Sequence, residues 1–279
     1  LDSIQRQTFN YFWEGAEPNS GLARERLHMD DVYDTSPKNT VTTGGSGFGL
    51  MAILVGIERG FITKQEGLKR YHKIVDFLEK ADRFHGAWPH WLNGETGKVL
   101  PFSEKDNGGD LVETAFLVQG LLTVSEYFKN GNGDEQLLVS KIDKLWKSVE
   151  WDWYTKGEDV LYWHWSPSYG WEMNFAVGGY NECLIMYVLA AASPTHSISK
   201  SVYEKGWARN GTIMSKDSLY NKPLVLDYYQ HDNAAIGPLF WAHYSYLGLN
   251  PKGLEDEYAN YWDLNVNHTK INYEYTQEN

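Results

Sequence analysis

Asp106-Asn107-Gly108-Gly109-Asp110-Leu111-Val112-Glu113-Thr114 leads out of a glycine turn into an apolar run that continues to Phe128. Apolar residues through that run recur at helical spacing, which predicts a helix over 110–128. Asp110 falls at the N-cap and Glu113 at N3. That is the spacing of a capping box, and such a cap stabilises a helix by about 0.5–2 kcal/mol. The same two carboxylates share one helix face, and Asp106 adds a third across the Gly-Gly turn. Capping and the holding of a hydroxyl-bearing ligand are both open uses of this block, and they are compatible.

Outward from it, the chain alternates helices with loops of unequal length. A stripe through Ile4, Phe9, Phe12 and Trp13 predicts a helix over 1–14. A second is predicted over 45–59, stopped by Gly60. A third follows Thr63, whose pairing with Glu66 is another capping box, and its apolar face is Leu68, Tyr71, Ile74, Val75 and Leu78. Asn93-Gly94-Glu95-Thr96-Gly97 predicts a hairpin inside the long connection 84–107. Further helices are expected over 134–149, 180–192, 195–207 and 232–247, with a last one starting near Leu254. The end of the chain, 265–279, reads as a polar stretch without a closing helix.

Antiparallel helix pairs with few strands mean an all-α fold, either an open solenoid or a closed toroid. A solenoid requires a repeat of fixed length, and none is visible. The expectation is therefore one domain over 1–279, an (α/α)6 toroid with short β-hairpins in its loops. Six pairs need roughly twelve helices. The shortfall leads to the expectation that C-terminal helices are missing.

Composition excludes several functions. A net charge of -12 and the lack of a basic stripe argue against nucleic acid. No apolar run reaches the roughly 20 residues of a membrane span, and no N-terminal signal pattern is present. One cysteine, Cys183, permits neither an intrachain disulfide nor a cysteine-rich metal site. His85 and His90 are the closest histidine pair, without metal-site spacing, so no metal and no cofactor are expected. Gly44-Gly45-Ser46-Gly47-Phe48-Gly49 lacks the lysine of a phosphate loop and reads as a tightly packed helix start.

The positive signal is aromatic. Trp, Tyr and Phe form 15% of the chain, and many stand in Gly- and Pro-marked loops, where exposed rings suit stacking on the C–H face of a pyranose. Three segments carry them: Trp88-Pro89-His90-Trp91; Trp163-His164-Trp165-Ser166-Pro167 with Tyr169 and Trp171; and Tyr228-Tyr229-Gln230-His231-Asp232. Arg24 and Arg26 are hydroxyl donors or plain surface residues. Gly178-Gly179-Tyr180-Asn181-Glu182-Cys183 places Glu182 in the first turn of the 180–192 helix. There the helix dipole lowers a carboxyl pKa, whereas a general acid needs a raised one. Burial by Tyr180, Leu184 and nearby tryptophans would have to outweigh the dipole.

Taken in order, several blocks resemble the bacterial glucoamylase-like family that includes endo-β-1,2-glucanases, glycoside hydrolase family 144. They are Thr8-Phe9-Asn10-Tyr11-Phe12-Trp13, Gly21-Leu22-Ala23-Arg24-Glu25-Arg26, Thr42-Thr43-Gly44-Gly45-Ser46-Gly47-Phe48-Gly49, Gly86-Ala87-Trp88-Pro89-His90-Trp91, the acidic block from Asp106 to Thr114, and Gln119-Gly120-Leu121-Leu122. The resemblance implies an (α/α)6 barrel and inverting, endo-acting hydrolysis of β-1,2-glucan or a related β-glucan. It implies Glu182 as general acid and places Asp106, Asp110 and Glu113 in the catalytic cleft. Trp88, His90, Trp91, Trp163, Trp165, Trp171, Tyr180 and Arg24 are the expected substrate-binding residues. An inverting enzyme keeps its two carboxyl groups about 6.5–9.5 Å apart, and the second of the pair has no clear match. The substrate class implies a periplasmic or secreted bacterial protein, and a monomer is expected. Rival readings are a non-catalytic carbohydrate-binding protein of glycan uptake, a phosphorolytic enzyme, and a glucoamylase-type α-glucan hydrolase.

Overall fold

Small residues decide how the longest helices meet. In the computed structural model, which describes residues 1–33, 37–227 and 237–278, the early helices are α1 (Asp2–Trp13), α2 (Thr43–Glu58), α3 (Lys64–Leu78), α4 (Leu111–Phe128) and α5 (Gly133–Lys147). Helices α2 and α4 cross at Gly47 and Gly120. A Cβ at Gly47 would collide with the Phe116 carbonyl, and one at Gly120 with the Gly47 carbonyl. The glycine-rich run is thus a helix start and a packing surface, as the sequence suggested. Gly47→Ala is expected to destabilise the protein by about 1–3 kcal/mol, the usual result of overpacking. Urea unfolding measures it, and an unchanged midpoint would show that the helices can separate freely.

The described residues cluster into two compact units. The first comprises Leu1–Glu150, His164–Asn174 and Pro194–His196; the second comprises Trp151–Trp163, Phe175–Ser193 and Ser197–Asn279. In the first, α1 to α5 bury Leu50, Ile53, Tyr71, Leu78, Leu117 and Leu121. The Thr63–Glu66 capping box is present, and α5 has a second one from Asn132 and Glu135. The expected hairpin is also present. Strands β1 (Thr40–Thr42), β2 (Trp91–Asn93) and β3 (Val99–Leu100) form an antiparallel sheet in the order β1-β2-β3. Gly97 turns the hairpin at φ +71°, where a side chain would be strained.

The second unit departs further from expectation. Its helices are α6 (Leu184–Ala192), α7 (Leu239–His243) and α8 (Tyr261–Glu278). The helix expected over 195–207 is reduced to a π-helical stretch, Val202–Trp207. Its serine-rich start finds other partners: the Ser199 and Ser201 hydroxyls lie 2.8 Å apart, and Ser201 also donates to Asp159. Such side-chain bonds compete with helix formation. Of the helix expected over 232–247, residues 232–236 lie outside the described residues, and the remainder is the short α7 followed by a 3-10 turn, Tyr244–Tyr246.

The polar reading of 265–279 is corrected. Most of it is α8, which buries Tyr261, Leu264, Asn265, His268 and Ile271 at helical spacing. Two of those five are polar, which hid the stripe. Both are satisfied. Asn265 donates to the Tyr261 carbonyl, and His268 bonds Tyr180 through Nδ1 and the Gly237 carbonyl through Nε2. Among the described residues no helix is long and apolar enough to cross a membrane.

Candidate functional site

Backbone bonds bring the acidic block to the Trp88–Trp91 segment. The Asp110 N–H donates to the Trp88 carbonyl at 2.9 Å, and the Trp88 N–H donates to the Thr114 hydroxyl at 2.9 Å. From the other side, Gly109 and Asp110 pair antiparallel with Trp165 and His164. A Cβ at Gly108 would collide with the Trp165 carbonyl, so glycine is required for that approach. Four titratable side chains, His90, Asp106, Asp110 and His164, gather in this way in the first unit.

Asp110 is wholly buried. Its Oδ1 accepts the Glu113 N–H at 2.9 Å as the N-cap of α4, and its Oδ2 lies 3.0 Å from His90 Nδ1. Glu113 does not return the cap. Its Oε2 accepts the Gly44 N–H at 2.9 Å, in the first turn of α2. Unsatisfied N–H groups and the positive end of the helix dipole favour a carboxylate there. A side chain at position 44 would displace that carboxylate. The anticipated capping box is therefore half formed, and its second carboxylate joins α4 to α2.

Burial opposes a charged His90, but the hydrogen bond and charge of Asp110, reinforced by Glu113 and Asp106, lift the imidazole to about 9. Asp106 is raised to about 6, first by burial and then by the charge of Asp110, with His90 pulling the other way. His164 is lowered by burial, against the attraction of Asp110. Donor atoms of His90, Asp106 and Asp110 lie within 4.8 Å of one another. The imidazolium supplies positive charge to this group.

These shifts carry a sign for stability. A histidine raised in the folded state contributes stability in full below 6.5, and that stability is lost as pH climbs through about 9. Asp106, also raised, binds its proton more tightly when folded, so stability declines between 3.8 and about 6 as pH rises. His90→Gln is expected to remove most of the loss between pH 6.5 and 9. Denaturant unfolding at both ends of that window checks it, and an equal loss in the variant would place the titration elsewhere.

The expected aromatic residues divide. Trp88 is fully buried, donates its indole N–H to the Leu78 carbonyl, and has the Arg83 guanidinium 4.0 Å from its ring centroid. It packs the core and offers no face to a sugar. Trp91, Trp165 and Trp171 are half-buried. The sequence reading missed Phe102, which is exposed and stands 4.3 Å from His90 and 4.9 Å from Trp91, centroid to centroid. Its place in the acidic block's own loop was the available signal. Arg24 donates to the Lys38 carbonyl, and its backbone bridges Val41. Arg26 is exposed beside Glu25.

Glu182 belongs to the second unit. It precedes α6 instead of standing in its first turn, because the helix begins at Leu184 with Cys183 as N-cap. Ser245 pins this junction: its hydroxyl donates to the Glu182 carbonyl at 2.7 Å and accepts the Ile185 N–H at 3.0 Å. The Glu182 carboxyl is raised by burial, which prevails over a hydrogen bond from its own backbone. Tyr180 is buried, with its hydroxyl 3.2 Å from His268 Nδ1, so it serves packing. Trp163 is half-buried and stacks on Phe175, with centroids 5.4 Å apart. The segment Tyr228 to Asp232 lies outside the described residues.

A family model described as "Putative glucoamylase" matches residues 174–279. The solved structure of a "putative glucoamylase" from Bacteroides caccae is 60% identical, with a TM-score of 0.96, over 100% of this chain and 67% of that one. This chain belongs to the glucoamylase-like family. The chain is also similar to the endo-β-1,2-glucanase of Chitinophaga pinensis, solved with sophorotriose and glucose. It is 62% identical, with a TM-score of 0.94, over 98% of this chain and 65% of that one. A curated relative from Parabacteroides distasonis, an exo β-1,2-glucooligosaccharide sophorohydrolase acting at the non-reducing end, is 46% identical over 297 residues. All of this chain is matched, and it spans 40% of that relative's length.

Proposed function

We propose that this member of the glucoamylase-like family is a glycoside hydrolase that cleaves β-1,2-linked glucan with inversion. The observation that carries the reaction class is Glu182, a half-buried glutamate whose carboxyl is raised by burial as a general acid requires. The β-1,2 linkage is supported by the names of the Chitinophaga and Parabacteroides relatives. Glu182 protonates the leaving oxygen. Asp106, with one oxygen that has no hydrogen-bond partner among the described residues, meets sugar hydroxyls, while Asp110 and Glu113 hold the helix starts and His90 in place. Trp91, Trp163, Trp165 and Trp171 provide stacking faces. The protein works as a monomer, without metal or cofactor, in the periplasm or outside the cell.

Incubation with linear β-1,2-glucan, beside laminarin, cellulose derivatives and starch, tests this. Short β-1,2-linked oligosaccharides are expected, and proton NMR of the first product should show the inverted anomer. Cleavage of starch with β-1,2-glucan untouched would overturn the proposed linkage and revive the glucoamylase reading.

A further inference from the structure

Among the described residues, two buried atoms around Asp110 have no hydrogen-bond partner, Asp106 Oδ1 and His164 Nδ1. Their residues are only 8% and 6% exposed. They flank one aspartate. His164 is the antiparallel register partner of Asp110, and Asp106 precedes Asp110 across the glycine turn. The charge of Asp110 acts on both side chains. The sequence reading named Trp163 and Trp165 and passed over the histidine between them. Alternation along the strand directs His164 to the face opposite Trp165.

Buried polar atoms in folded proteins are matched by a partner, and the chemistry of these two narrows what that partner is. An apolar occupant satisfies neither atom. A cation suits Asp106 but meets the His90 imidazolium nearby, and an anion is repelled by Asp106 and Asp110. A neutral hydroxyl both donates and accepts, so vicinal hydroxyls on one ring satisfy the carboxylate and the imidazole together. We propose that His164 is a sugar-binding residue which, with Asp106, holds the hydroxyls of one glucose unit of the β-1,2-linked substrate. This assignment rests on the glucan-hydrolase reading above. Trp165 and His85, packed edge to face at 5.0 Å, steady the strand that carries it.

The test is binding of a β-1,2-linked glucotriose to the purified chain by calorimetry, with a thermal melt of every variant. An asparagine amide falls close to the Nδ1 position of the imidazole it replaces, whereas a glutamine amide falls close to Nε2. His164→Asn is therefore expected to keep the affinity within about threefold. His164→Gln and His164→Phe are expected to weaken it by about tenfold or more, or about 1.4 kcal/mol, with melting temperatures close to wild type. Asp106→Asn should weaken it similarly. Wild-type affinity in His164→Phe would overturn the proposal, as would equal weakening by Asn and Gln in step with falling melting temperatures, which marks a structural role. A wild-type chain that binds no glucotriose would sink the glucan-hydrolase reading itself, and this assignment with it.

Discussion

Glu182→Gln is expected to lower turnover of β-1,2-glucan by about 10²–10⁴-fold, the range that general acid catalysis contributes, while the protein stays folded. The substitution keeps the size of the side chain and removes the transferable proton. The position tolerates it structurally, because what anchors the junction is the backbone: Ser245 bonds the Glu182 carbonyl and the Ile185 N–H. The sign of the pH effect follows from burial. A carboxyl raised above 4.5 stays protonated to higher pH than an ordinary glutamate, so the acid limb of the reaction extends upward. The alkaline side of the wild-type rate profile should report that deprotonation, and the variant's residual rate should lose it. Initial rates against pH, with a thermal melt of each protein, measure both. Wild-type turnover in the variant would remove Glu182 from the role of acid.

Asp110→Ala is expected to destabilise the protein by about 3–5 kcal/mol, the range for breaking a buried charged pair by deleting one partner. Two stabilising contacts end together, the cap on α4 and the partner of His90, and they outweigh the relief of the Asp110 charge that raises Asp106. Asp110→Asn separates them. Asparagine caps a helix about as well as aspartate, so the cap survives while the charge is lost. In that variant the His90 imidazole should fall from about 9 towards 6.5, which its NMR titration would show. The stability loss should also be smaller than in the alanine variant. An unshifted His90 would mean that Asp110 does not set its charge. Equal destabilisation by both substitutions would mean that charge, not capping, dominates at this position.

What the sequence revealed about the fold was local. Thr63 and Glu66 form the capping box their spacing predicted, and Gly60 closes α2 with a positive φ. The turn around Gly97 makes the hairpin, and Asp110 caps α4. Each depends on groups within about four residues of one another, the reach of a helix turn or a hairpin. Local reasoning failed where a polar residue was buried by something remote. Asn265 and His268 interrupt the apolar stripe of α8, and only their bonds to Tyr261, Tyr180 and Gly237 explain them.

The candidate site divides along the same line. The acidic block and the Tyr-Asn-Glu segment stood out by residue type and spacing, and the family likeness followed from the order of the blocks. Tertiary structure decided what each side chain does. Glu113 carries its carboxylate to Gly44, 69 residues away in the chain. Trp88 is sealed in the core while Trp91, three residues on, is half-exposed. Glu182 stands ahead of α6, not in its first turn, and burial raises its carboxyl. The physical reason is common to all three. Capping and turn energies are set by neighbours in the chain, whereas desolvation and charge–charge energies are set by whatever the fold brings into contact.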